Sequence, residues 1–262
     1  MNQQKPKQDP EKKGVQTLGE HLNTNDDESR DGFYGSTVMD TSVLGVKKIE
    51  RQTIQDVIYE SLKDAMMKGQ IRPGVTLTVV TLAKEYGTSS MPVREALARL
   101  VEADVLVATP NKSVCLPVLR ADELREMARI RMTIEGMAGH WAADNITPEE
   151  IEQIETDYSK MSQLILTQDK SEVTKVHQKI HFSIYRATRS KYLVSIIERL
   201  WMRNGPYLGM LSWDAFRVGE SRHQEMIDGL KDRDGSVVQK AIQFDIGDAL
   251  ESLLRGEYRH IF

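Results

Sequence analysis

"GTSSMPVREALARLVEADVLV" (residues 87–107) decides the fold. Gly87 can stop one helix, Ser89 or Ser90 can cap the next, and Pro92 falls in its first turn, where a missing N–H costs nothing. The new helix gives way to the β-formers of "VLVATPNKSVCLPVL" (105–119), which read as two strands around "TPNKS". Upstream, "VVTLAKEYG" (79–87) is a short helix and "IRPGVTLT" (71–78) a turn with a short extended piece. "TIQDVIYESLKDAMMKG" (53–69) is a helix with Ile54, Val57, Ile58, Leu62, Ala65 and Met66 on one stripe.

Three helices and a hairpin in fewer than 70 residues is the order of a winged helix-turn-helix. In that arrangement the second helix of the pair enters the major groove with its N-terminal residues nearest the bases. Those residues are Ser89, Ser90, Met91 and Arg94. A serine hydroxyl can bond a phosphate or a base edge, and Arg94 can fork onto guanine or a phosphate. Arg99 lies further along the helix, and Lys112 sits at the hairpin tip.

The whole chain limits the alternatives. Its 262 residues suffice for about two domains, and 40% hydrophobic with 28% charged residues describes a globular protein with a core. Aromatic content of 6% beside 12 methionines suits helices better than a β-sandwich. No apolar run reaches the roughly 18 residues of a membrane span, and the start lacks the apolar stretch of a secretory signal. Cys115 alone excludes an internal disulfide framework and fits a reducing cytoplasm. The net charge of −4 means that any hold on nucleic acid rests on local basic groups.

Residues 1–50 carry 7 Lys/Arg against 9 Asp/Glu and show no sustained period, which reads as a disordered tail rather than a basic arm. Residues 51–119 form the winged helix-turn-helix. Residues 120–262 are almost wholly helical and read as an all-α bundle with short joints. Its first helix has the stripe Leu124, Met127, Ile130, Ile134, Ala138 and Trp141. The second starts at Thr147-Pro148, and others follow around 172–187, 191–203, 217–231 and 236–256.

"IRPGVTLTVVTLAKEYGTSSMPVREALARLVEADVLV" resembles the N-terminal domain of the GntR family of bacterial transcription regulators. The shared skeleton is G-x-I-x-P-G, then L-A, then G-x-S-x-x-P-V-R-E-A-L-x-x-L. The resemblance implies a dimer that binds a double-stranded DNA operator. Ser90 stands where the family usually has Arg, Lys112-Ser113 where it has a wing-tip glycine, and Val80 at a position that is basic in some members.

Polar residues interrupt the bundle's apolar stripes. His177 and His181 share one face with Val173, Ile180 and Ile184; His223 lies beside Met226 and Leu230; Asp245 lies among Val238, Ile242 and Ala249. Unpaired polar groups in a core cost several kcal/mol, roughly, so something must satisfy these. Three imidazoles and a carboxylate can hold a divalent metal, zinc first, with nickel or manganese also possible. They can also be core histidines bonded to Asp245 and to backbone, with no metal.

The helical half resembles the FCD ligand-binding domain of the FadR-like branch, which implies a metal set of Asp-x-x-x-His, then His, then a His 22 residues later. Here "HQKIH" places His177 where that Asp stands, and Asp245 takes the place of the last His, so the two exchanges are reciprocal. The same resemblance implies a small organic acid effector. Arg131, in the element resembling the family's R-x-x-x-E, either clamps that acid or pairs with Glu135. "HQKIH" has the spacing of the zinc-peptidase motif, but Gln178 replaces the glutamate that would act as base, so no enzyme is expected.

Overall fold

The computed structural model describes residues 53–111 and 113–256. The tail read at 1–50 and the wing-tip Lys112 lie outside the described residues.

Helix α1 (Ile54–Met67) opens on a reciprocal capping box between Thr53 and Asp56. Strand β1 (Thr76–Leu77), α2 (Val79–Glu85), α3 (Ser90–Glu102), β2 (Val107–Ala108) and β3 (Val114–Cys115) follow. The short extended piece read at 71–78 joins the hairpin as a third strand: the sheet order is β1-β3-β2, antiparallel, with Cys115 facing both Thr76 and Val107. Pro92 sits in the first turn of α3, as its missing N–H requires. Ser89 is the N-cap residue, yet its hydroxyl makes no capping bond.

The rest of the described chain is α4 (Ala121–Asn145), α5 (Pro148–Thr167), α6 (Lys170–Ala187), α7 (Lys191–Leu208), α8 (Trp213–Lys231) and α9 (Gly235–Arg255). Short joints separate them. Three turn on a residue in the left-handed region, Gln168, Arg189 and Arg233. The helices after these and other joints start on side-chain caps from Thr147, Asp169, Ser190, Ser212 and Asp234. α4 packs on α9 and α6, α8 on α9, and α5 on both α6 and α8.

Three readings need correction. In α1, Ile54 and Val57 are exposed, and the buried stripe is Ile58, Leu62, Met66 and Met67. In α4, Ile130 and Trp141 face outward at 42% and 44% exposure, while Leu124, Ala128, Arg131, Glu135, Ala138 and Ala142 face in. Small residues on that face let α9 lie close, which displaces the bulkier stripe. Helix α7 continues past residue 203 with Pro206 inside it. Proline there removes one helical hydrogen bond, and the burial of Trp201, Met202, Tyr207 and Leu208 offsets that loss.

The extended end of α7 joins the two halves. Gly205 lies so close to the end of α1 that a Cβ on it would stand 2.5 Å from the Met66 carbonyl oxygen and 2.7 Å from that of Met67. Gly69, at φ +68°, in turn lies against the Gly205 carbonyl and the Gly209 nitrogen. Thr174 of α6 donates to the Lys68 carbonyl at 2.9 Å. The Tyr207 hydroxyl accepts from the Leu119 N–H at 2.8 Å, fixing the chain between β3 and α4. In an exposed helix interior, Gly→Ala stabilises by about 1 kcal/mol. Gly205→Ala is expected to do the opposite, lowering stability by about 1–3 kcal/mol through overpacking; thermal unfolding followed by circular dichroism measures the sign.

Candidate metal and effector site

His177 and His181 come from one face of α6, His223 from α8 and Asp245 from α9. All four are buried, and one potential ligand atom from each lies within 4.8 Å of the others. The His181 Nε2 is 3.1 Å from the His223 Nε2 and 3.4 Å from the Asp245 Oδ2. The His177 Nε2 is 3.9 Å from the same carboxylate oxygen, and its Nδ1 is buried without a hydrogen-bond partner.

The hydrogen bonds around this cluster assign its protons. The His223 Nδ1 lies 2.6 Å from the Gly219 carbonyl, which can only accept, so Nδ1 carries the hydrogen. The Tyr185 hydroxyl donates to the Glu135 Oε2 at 2.7 Å and therefore accepts from the His181 Nδ1 at 3.0 Å. Burial, followed by the neighbouring His177, pulls His181 from an ordinary 6.5 to about 3; burial also lowers His223. Both rings are neutral, and both present an Nε2 lone pair to the same point. Burial alone would raise Asp245, but His223 and the other imidazoles facing it hold its carboxyl well below the usual range. The set therefore offers imidazole lone pairs and one anionic oxygen to a common centre, which is the donor chemistry of a divalent transition metal.

Beneath it lies a charge shell whose anion is Glu135, with no solvent exposure. Arg131 gives it Nε at 2.7 Å and Nη2 at 3.3 Å, and the Trp201 Nε1 donates to it at 3.0 Å. Burial opposes the charge on Arg131, and Glu135 more than restores it. Of the two readings of Arg131, the ion pair is present, and the same residue also borders the cavity over the histidines. Sequence reasoning offered Glu135 as a partner of Arg131 and missed Tyr185 and Trp201 as supports. Tyr185, one turn beyond His181, was the available signal.

In the helix-turn-helix, Ser89, Ser90, Met91 and Arg94 are all exposed at the start of α3. Arg99 is engaged elsewhere: its Nη1 is 2.7 Å from Asp56 and its guanidinium lies 4.0 Å over the Tyr59 ring. Val80 is 78% exposed. Gln178, in place of the peptidase glutamate, borders a surface groove with Lys175 and Lys179, away from the histidine cluster.

A winged helix-turn-helix joined to a helical bundle with a buried histidine–carboxylate cluster defines a DNA-binding regulator. The chain belongs to the GntR family: residues 54–116 match the model for bacterial regulatory proteins of the gntR family, and residues 126–245 match the FCD domain. It is a transcription regulator, not an enzyme. It is 31% identical over 178 residues to the HTH-type transcriptional regulator McbR of Escherichia coli strain K12, covering 68% of this chain and 80% of McbR. The solved structure of E. coli McbR/YncC aligns with a TM-score of 0.71 at 26% identity, over 75% of this chain and 95% of that one. The Nta operon transcriptional regulator of Aminobacter aminovorans is 26% identical over 201 residues, 73% of this chain and 91% of that protein. No helix among the described residues is long and apolar enough to cross a membrane.

Removing the Tyr185 hydroxyl frees the His181 ring to change tautomer. Tyr185→Phe is expected to weaken binding of added zinc by roughly 10–100-fold, read by competition with a chromogenic chelator, with helical content unchanged.

Proposed function

We propose that this regulator's hold on its operator is set by a small carboxylate bound at a divalent metal, zinc first, on His177, His181, His223 and Asp245. The observation that carries this is the pair of neutral imidazoles whose Nε2 lone pairs lie 3.1 Å apart with both Nδ1–H groups already engaged. Two lone pairs at that distance repel unless a positive centre sits between them. A metal there supplies a Lewis-acidic charge that takes a carboxylate oxygen. Arg131, held by Glu135, presents the rest of its guanidinium to the same acid.

The DNA-binding domain is assigned to residues 51–119 and the effector domain to 120–262, with the protein at work in the cytoplasm. Ser89, Ser90, Met91 and Arg94 make the operator contacts, with Lys112 at the wing. Arg99 serves chiefly to brace α3 on α1, given its bond to Asp56. Helix-turn-helix proteins read paired half-sites as dimers. A second copy is proposed to cover Ile130 and Trp141, which α4 turns outward.

Metal analysis of protein purified without a His-tag is expected to find one zinc-class ion per chain. His181→Ala is expected to lose that ion, and with it any rise in melting temperature from organic acids, while keeping its fold. Full metal content in that variant, or no response of the wild type to any acid, would refute the reading. Arg94→Ala is expected to weaken operator binding by about 1–3 kcal/mol in a mobility-shift assay.

A further inference from the structure

The surface groove that Gln178 borders, away from the histidine cluster, has a volume of about 410 Å³. Lys175, Lys179, Phe182 and Arg186 line it from α6, three and four residues apart and therefore on one face. Asp157 and Lys160, one turn apart, line it from α5. Asp64 and Lys68 close it at the end of α1. Five cations thus meet two carboxylates, a local charge of +3 on a chain whose net charge is −4.

The pairing inside the groove is uneven. Asp157 is 5% exposed, and it takes Lys179 at 2.7 Å and the Gln153 amide at 3.3 Å. A buried acid needs such a partner, so Lys179 is committed. Asp64 takes Lys68, and Lys175 reaches Glu172 at 3.3 Å. Lys160 and Arg186 have no carboxylate within ion-pair distance among the described residues; Arg186 lies 5.4 Å over the Phe182 ring. A concave wall concentrates the field of the charges that line it, which favours an anion inside. Lysines act as point charges and arginine as a planar fork, and the two together suit phosphoryl oxygens. The volume is that of a small-molecule site.

We infer that this groove is a second ligand site, for a small polyanion with two or more phosphoryl groups, held chiefly by Lys160 and Arg186. It is separate from the metal cluster and does not rest on the function proposed above. The bound polyanion lies against three helices at once, beside Lys68 at the end of α1, Lys160 on α5 and Arg186 on α6. The Thr174 hydroxyl already ties α6 to the Lys68 carbonyl. The ligand therefore reinforces an existing joint between the bundle and the DNA-binding half.

The test is a calorimetric titration of the full-length protein with orthophosphate, pyrophosphate, tripolyphosphate and citrate at several sodium chloride concentrations. Tripolyphosphate is expected to bind once per chain, more tightly than pyrophosphate and much more tightly than orthophosphate, and to weaken as salt rises. Lys160→Gln and Arg186→Gln are each expected to raise its Kd about fivefold, as for a partly exposed ion pair. Neither replacement strands a carboxylate, so both variants are expected to fold; Lys179 is left in place because its loss would strand Asp157. Lys240→Gln, at an exposed position of α9 outside the groove, is expected to leave the Kd unchanged. His181→Ala is expected to bind tripolyphosphate as the wild type does, which separates groove binding from chelation of any ion at the histidines. No saturable binding, citrate or orthophosphate binding as tightly as tripolyphosphate, or an equal loss in Lys240→Gln overturns the inference and leaves the proposed function standing. Loss of binding in His181→Ala assigns the phosphate to the metal cluster and also overturns it.

Discussion

A single carboxylate organises the interior. Glu135 has no access to water, and an ionised group there persists only when its oxygens are filled by donors. Arg131 on its own helix, Tyr185 on α6 and Trp201 on α7 supply them. Each of these bonds fixes something further out. Arg131 is kept charged beside the cavity. The Tyr185 hydroxyl is turned so that it can only accept from His181, which leaves the Nε2 lone pair pointing at the cluster. The Trp201 ring is held 5.5 Å from that of His181 and 5.9 Å from that of His177. Loss of the carboxylate would strand a buried guanidinium and release both ring orientations at once.

The same tryptophan begins the path to the other half of the chain. Within one turn of it α7 reaches Gly205, then Tyr207, whose hydroxyl holds the Leu119 backbone. A helix that touches the histidine rings through Trp201 and α1 through Glu198 and Gly205 is placed to couple the two. Under the proposed function, reciprocity requires that effector and operator change each other's affinity by the same factor.

Much of this was legible in the sequence where the signals are local. The joint at Ser89-Ser90-Pro92, the caps at Thr147 and the tight turns between helices depend on a few neighbouring residues and stand where they were read. His177, His181, His223 and Asp245 were legible because each breaks an apolar stripe. The hidden features need partners distant in sequence. Arg99 pairs with Asp56, 43 positions away, and Glu135 draws donors from positions 50 and 66 residues further on. The inward face of α4 was misread because alanine and glycine, weak as hydrophobic markers, occupy it, while Ile130 and Trp141 point outward. Pro206 signals an end to a helix, and only tertiary packing carries α7 through it.

The junction between α1 and α7 is built from main chain meeting main chain at Gly69, Gly205 and Gly209. Beside the Lys63–Glu198 ion pair, this part of the seam depends on the absence of side chains. Residues on either half can be exchanged without rewriting this part of the seam, provided those three positions stay bare. Hybrid regulators that splice the reading head of one relative onto the sensing barrel of another should therefore be most tolerant when the cut respects this glycine triplet.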